Sequence, residues 1–293
     1  MPPSTTLDAP TPKRLAPLLV VLVVSLAGCT VAGVPIGAPQ PYTDTGAALD
    51  GDALRAAHTD ALHEAGSFAA TTNVTLRSDD GAVTVNRTAR VDFAANRSLA
   101  TSRLDGRVGE AGHAEVATYT GNGTTARRVH LAGDDGELVR YDAARAPYDG
   151  GLLAVSPVDG TARANGDLVA IAVEEVDWVQ RGVERHDGGW VTRYEATGAG
   201  NVSDVGAMVA TGVTDAELER TGLSADDVEP DEVEATLLVS PDGVVRRLAL
   251  TVVATGDDGE TRTLTLTVST DGVGSTDVQR PAWYDEATED LDD

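Results

Sequence analysis

The sequence predicts an α+β fold: a large curved antiparallel β-sheet of about ten strands, a half-barrel, with an N-terminal helix and helical insertions covering its concave face. Three observations point there. Long stretches alternate apolar and polar residues with a period of two, as in Phe68, Ala70, Thr72, Val74 and Leu76 against Thr71, Asn73, Thr75 and Arg77. Most of these stretches are separated by short turns rich in Asp and Gly, which selects antiparallel pairing. Few segments show helical spacing, and a strongly twisted sheet of that size curls.

At the N-terminus, Lys13 and Arg14 precede an apolar run from Leu15 to Leu26, followed by small Ala27 and Gly28 and then Cys29. The run is about a dozen residues, short of the roughly 20 that cross a bilayer, and Pro17 within it disfavours a permanent helix. Leu26-Ala27-Gly28-Cys29 resembles the lipobox of prokaryotic lipoproteins. That resemblance implies cleavage between Gly28 and Cys29 and a diacylglycerol thioether on Cys29, which becomes the first mature residue. The alternative is a short uncleaved membrane segment with an incidental cysteine. Residues 1–28 are thus read as a signal peptide and 29–48 as a lipidated tether, with Pro35, Pro39 and Pro41 and no apolar period. Residues 49–284 form the β-rich domain and 285–293 an acidic tail.

Within the domain, Leu54, Ala57, Ala61, Leu62 and Ala65 lie on one helical stripe, with Asp50 or Asp52 to cap its start and Gly66 its end. The strand from Phe68 turns at Ser78-Asp79-Asp80-Gly81 and returns through Val83, Val85, Ala89, Val91 and Phe93 as a hairpin. Shorter strands are expected around Leu99 to Leu104, Glu115 to Thr120, Ala126 to Leu131 and Glu137 to Tyr141. Asn165-Gly166-Asp167 introduces a helical period through Leu168, Ile171, Ala172 and Val176. Strands follow at Val179 to Arg185 and Trp190 to Ala196. A second helical patch spans Ser203 to Thr221, where Thr214-Asp215-Ala216-Glu217 fits a capping box. Three meander strands from Val233, Val244 and Leu264 close the domain, and the tail from Asp285 is expected to fray.

Composition bounds the partners. The chain has 47 Asp and Glu against 22 Lys and Arg, a formal net charge of −25. Nucleic acid and anionic lipid surfaces require a basic face, so neither is expected. Lys13 is the sole lysine, and aromatic residues make up 4% of the chain. With abundant Ala, Val, Thr and Gly, this composition resembles that of haloarchaeal proteins, which implies a fold that loosens when molar salt is removed. Beyond Cys29 no cysteine remains for a disulfide, so the fold rests on its core.

No catalytic constellation is legible. His58 and His63 are five residues apart and do not stack as the four-residue spacing of H-E-x-x-H would. His113, His130 and His186 lie far apart in sequence, with no Cys or carboxylate at ligand spacing. No metal, cofactor or enzyme activity is expected. The Asp-Asp-Gly clusters at Asp79, Asp134 and Asp257 lack the full calcium-loop pattern and are read as hairpin turns, with cation binding as the minor alternative. Five sequons, at Asn73, Asn86, Asn96, Asn122 and Asn201, are candidate glycosylation sites, with Asn73 and Asn86 on outward faces and Asn96 in a turn.

The lipobox, the helix Leu54-Arg55-Ala56-Ala57-His58 with Leu62, the Ser67-Phe68 strand and the long meander together resemble a set of uncharacterised haloarchaeal lipoproteins. The architecture looks like the LolA/LppX group, whose half-barrels closed by helices carry lipids or lipoprotein acyl chains. The resemblance implies a monomeric lipoprotein anchored in the cell membrane through Cys29 and facing outward, binding a lipid or other apolar ligand. The alternative is a structural or interaction lipoprotein with a closed core.

Overall fold

The computed structural model describes residues 49–79, 81–108, 111–133, 136–145, 157–174, 176–197, 230–255 and 259–291. The chain divides into a unit of Met1–Ala38, outside those residues, and a unit of Pro39–Asp293 that contains all of them. Gly28, Cys29, the tether, Asn201 and the helical patch expected at Ser203 to Thr221 lie outside the described residues.

Helix α1 (Gly51–Ala65) begins and ends on the residues that cap it. The Asp50 carboxylate accepts the Ala53 N–H at 2.9 Å, and Gly66, at φ 79°, donates its N–H to the His63 carbonyl. Six antiparallel strands follow: β1 (Ser67–Ser78), β2 (Gly81–Asp92), β3 (Arg97–Val108), β4 (Ala111–Gly121), β5 (Thr124–Gly133) and β6 (Gly136–Arg145). After α2 (Pro157–Glu174) come β7 (Val179–His186), β8 (Gly189–Thr197), β9 (Pro230–Val239), β10 (Val245–Thr255) and β11 (Thr261–Asp271). A short helix α3 (Tyr284–Thr288) runs into a single tight turn at Glu289–Leu291.

All eleven strands form one open sheet in the order β6-β5-β4-β3-β2-β1-β11-β10-β9-β8-β7. The first and last strands pair at its centre, with Val74 opposite Leu266. Two meanders therefore run outward from that pair, one to the edge at β6 and the other to the edge at β7. Because facing residues share a side, the register sorts the sheet into two faces. One carries Phe68, Ala70 and Val74 of β1, Val85 and Val91 of β2, Leu264, Leu266 and Val268 of β11, and Leu248, Leu250 and Val252 of β10. Leu54 of α1 and Val169 and Val173 of α2 pack into the same cluster, which makes this the helix-bearing face. The opposite face presents a field of threonines, including Thr263, Thr265 and Thr267, whose β-branched side chains suit a solvated pleat.

Two glycines let α1 sit close to its neighbours. A Cβ on Gly166 of α2 would lie 3.0 Å from Thr59 Oγ1, and one on Gly243 in the β9–β10 turn would lie 2.6 Å from Ala57 Cβ. His58, fully buried, ties the helix to the sheet by accepting the Val245 N–H at 3.2 Å. Arg55 bridges Asp52 of its own helix and Asp167 of α2.

Four features depart from the sequence expectation. The strands number eleven, and β3 to β6 run longer than the apolar stretches that marked them. Helix α2 starts at Pro157, well before Asn165: proline suits the first helical turn, Asp159 opposes the dipole there, and Gly160 and Gly166 hide the period. Residues 285–291 are docked on the sheet, against the fraying expected from sequence. Ala287 is buried, and Arg145 Nη2 donates to the Leu291 carbonyl at 2.6 Å, so α3 docks on β5 and β6. Helical cover is also narrower than a fully lidded half-barrel, since α1 leans on β1 and α2 on β2 and β3.

Candidate functional site

On the helix-bearing face, register lays the side chains in rows that cross the sheet. One row reads Val85, Leu104, Ala114, Leu131 and Leu138 from β2 to β6. The next reads Thr72, Arg87, Ser102, Val116, Val129 and Arg140. Over β1, β2 and β8 to β11 most apolar members of this face are sealed, Leu237 and Leu248 both at 0% exposure, while Leu76, Val83 and Ala89 are half-buried. From β3 outward the same face opens: Leu104 at the margin of the core, Ala114, Val116, Val129 and Leu131 are half-buried and Leu138 is 41% exposed. An aliphatic strip of this kind, bordered by Arg140, Arg127 and Asp142, is a surface for apolar matter with polar groups at its rim.

The opposite face of this wing is covered. After β11 the chain crosses to the start of β1, where Gly274 and Thr276 donate their N–H groups to the Ser67 carbonyl and Oγ at 2.8 and 3.0 Å. It then lays Tyr284 edge-on against Tyr119, with centroids 5.2 Å apart, and Trp283 beneath the Arg128 guanidinium. Tyr119 is 1% exposed, and burial pushes its hydroxyl pKa up. Beside it, the buried carboxylate of Glu115 is gripped by Arg103 at 2.7 Å and by Arg128. The Arg103 hydrogen bond, aided by Arg128 and opposed by burial, holds Glu115 below the usual carboxylate range.

Inside the central core, Tyr194 of β8 is 1% exposed and its hydroxyl has no hydrogen-bond partner among the described residues. Burial pushes its pKa up to about 12, so it stays a neutral donor.

The histidines are dispersed in structural surroundings. His63 stacks on Phe93 at 4.1 Å, and His186 lies beside Asp187 at the β7–β8 turn. His113 and His130, 17 positions apart in the chain, become neighbours through β4–β5 pairing, with ring centroids 5.9 Å apart. Each has a carboxylate: Asp105 lies 2.6 Å from His113, and Glu137 lies 2.8 Å from His130. Sequence spacing conceals such cross-strand adjacency. Among the described residues no three His, Cys, Asp or Glu side chains are grouped to hold a metal ion, and no helix is long and apolar enough to cross a membrane.

Of the sequons, Asn96 and Asn122 are exposed in turns with φ of 48° and 55°. Asn73 and Asn86 lie on the face away from the helices, half-buried, where the Asn86 amide donates to Asn73 Oδ1. Of the Asp-Asp-Gly clusters, Asp80, Asp134, Asp135, Asp257 and Asp258 lie outside the described residues, while the flanking residues pair, Ser78 opposite Gly81 and Gly133 opposite Gly136.

Solved structures similar to the chain include LprF from Mycobacterium bovis, 14% identical with a TM-score of 0.37 over 79% of this chain and 95% of that one. A DUF1329 family protein from Desulfovibrio piger is 12% identical, with a TM-score of 0.27 over 80% and 96%. The LolA superfamily protein NE2245 from Nitrosomonas europaea is 9% identical, with a TM-score of 0.21 over 79% and 96%. No curated protein matches the sequence. A family model matches residues 14–287, and the chain accordingly belongs to the family of unknown function DUF7537.

Proposed function

We propose that this protein is a membrane-anchored, outward-facing lipoprotein that binds a hydrophobic ligand on the helix-bearing face of β3 to β6. The observation that carries the proposal is the row Leu104, Ala114, Leu131 and Leu138, left half-open on a face that is mostly sealed over β8 to β11. Fully burying an aliphatic side chain contributes about 1.5–3 kcal/mol, so a strip kept half in water gains by taking an acyl chain. Arg140 and Arg127 at its rim suit a polar or anionic end of that ligand. The anchor is Cys29, on the strength of the signal-like segment before it, and the acidic, lysine-free domain suits a saline exterior. Glycans are assigned first to Asn96 and Asn122, whose turns present the side chain to solvent.

One observation favours a second reading. The central cluster from Leu54 to Val268 is packed to 6% exposure or less at every buried member, the pattern of a closed core. A structural lipoprotein would need nothing more.

Solvent extraction and mass spectrometry of the full-length protein, purified from membranes in molar salt, separates the two. Near-stoichiometric extractable lipid that is lost in Val116→Asp and Leu131→Asp supports the binding protein. Its absence leaves the closed scaffold. Cys29→Ser tests the anchor independently, since it should remove the acyl mass from the protein and release it from the membrane fraction.

A further inference from the structure

The two edges of the sheet are built differently. Edge strand β7 carries a register shift between Gln180 and Gly182, with Gly182 at φ 148°, a bulge that bends the strand and spoils further pairing. Edge strand β6 has no such device. Its register with β5 is unbroken from Gly133 opposite Gly136 to Thr124 opposite Arg145. Every residue of β6 except Ala143 is exposed, including Leu138, Val139 and Tyr141 at 41–42%. Among the described residues no strand pairs with the outer side of β6, and a long, regular edge that exposes Leu138, Val139 and Tyr141 is a template for another strand.

Charge identifies the strand that fits. In a chain of net charge −25, β6 is neutral, with Glu137 and Asp142 balanced by Arg140 and Arg145. Gly133 pairs with Gly136 across only two intervening positions, a separation at which the pair is hydrogen-bonded, so the even-numbered residues of β6 aim their backbone groups at β5 and the odd-numbered ones aim theirs at the free edge. An antiparallel copy of β6 centred on Tyr141 brings odd residues opposite odd residues. In that register Glu137 faces Arg145 of the other copy, Arg140 faces Asp142, Leu138 faces Ala144 and Val139 faces Ala143. Each pair occurs twice. Glu137 and Arg145 lie on the face that bears α3, and Arg140 and Asp142 on the helix-bearing face, so opposite charges meet on both sides of the junction.

We propose that β6 pairs antiparallel with β6 of a second copy about a two-fold axis at Tyr141, joining two sheets into one and making a dimer in place of the monomer expected from sequence. The contact is isologous and closes on itself, because it consumes the same edge in both copies and leaves only the bulged β7 edges outside.

The test is light scattering of the full chain in molar salt over a range of concentrations, with circular dichroism to confirm folding. The native protein is expected at twice the monomer mass. Asp142→Arg sets arginines against each other at both pairs and is expected to weaken association about tenfold or more. Adding Arg140→Asp to that variant restores opposite charges and should restore the dimer. Register is read by oxidation in a Cys29→Ser background: Tyr141→Cys meets its own mate and crosslinks, whereas Leu138→Cys, several residues off the axis, does not. A native protein that stays monomeric with no Tyr141→Cys crosslink overturns the proposal. So does a dimer indifferent to Asp142→Arg, or a β6 edge found paired with a different protein.

Discussion

In β8 to β11 with β1 and β2, most apolar residues that alternate toward the helices are sealed, with Leu76, Val83 and Ala89 half-buried, and the other face carries mainly threonines, asparagines and charged groups, with Leu238 buried among them. In β4 the burial is reversed: Glu115, Ala117 and Tyr119, on the face away from the helices, are buried, while Ala114 and Val116 toward the helices are half-open. Both regions have the same two-residue alternation, and register shifts occur in each, at Val245/Arg247 in one and at Asp105/Val108 in the other. They differ in what lies over them, since α1 and α2 reach only to β3 and the segment from Gly272 to Leu291 crosses beneath the wing. Alternation decides which side chains share a face; long-range cover decides which face becomes core.

The largest effect should come from the sealed half. Leu237→Ala, at a residue with 0% exposure in the central cluster, removes packed methyl groups and leaves a cavity. A loss of about 2–5 kcal/mol is expected by equilibrium denaturation at fixed salt. A cost below about 1 kcal/mol would mean that the centre is no better packed than the wing.

On the wing, Tyr284→Ala strips the ring that covers Tyr119 and loosens the docked C-terminal segment. About 2 kcal/mol should be lost, from the ring pair and the area it buries. Hydrogen exchange is the sharper readout: amides of β4 to β6 should exchange faster while those of β9 to β11 hold. Uniform acceleration across the sheet would show that the two regions unfold as one unit.

Next in size is Glu115→Gln, which removes the charge held between Arg103 and Arg128. Arg103 keeps a side-chain exposure of 53%, so water replaces part of what is lost and the cost falls near about 1–2 kcal/mol. The folded-state pKa of Glu115 is lowered, chiefly by Arg103. Its contribution is therefore complete above its unfolded value of about 4.3 and disappears as pH falls toward the folded value. Acid titration of stability should be shallower in the variant, and curves of equal slope would remove Glu115 as a support of the wing.

How much of this was legible in the sequence follows the range of the interactions. Asp50, Gly66 and the hairpin at Ser78-Asp79-Asp80-Gly81 act within a few residues, and their positions in the structure agree with the sequence pattern. The pairing of β1 with β11 leaves no local trace, because both strands alternate in the same way whoever their neighbour is. Helix α2 begins at Pro157, but Gly160 and Gly166 interrupt its apolar period, and Gly166 is fitted to α1, a contact that periodicity does not announce. Trp283 and Tyr284 sit in an acidic stretch with no apolar period, and their role depends on Arg128 and Tyr119, far away in the chain. Of the candidate site, the short strands from Leu99 to Tyr141 were legible, though not the row that their aliphatic residues form. Nor was it legible that these residues stay half-open, since exposure depends on where the helices stop.

The smallest effect on stability should come from Leu131→Ala, and it bears most directly on function. Leu131 is half-buried between Ala114 and Leu138, so truncation removes methyl groups that already touch water and should cost under about 1 kcal/mol. If those methyl groups contact an acyl chain, the same truncation weakens binding of a fluorescent long-chain fatty acid about fivefold, while Leu237→Ala lowers stability without changing affinity in the folded fraction. Affinity that follows stability in both variants would mean the probe senses unfolding. Affinity unchanged in Leu131→Ala would make the open strip an ordinary surface, and the asymmetry between the two halves would then be one of cover alone.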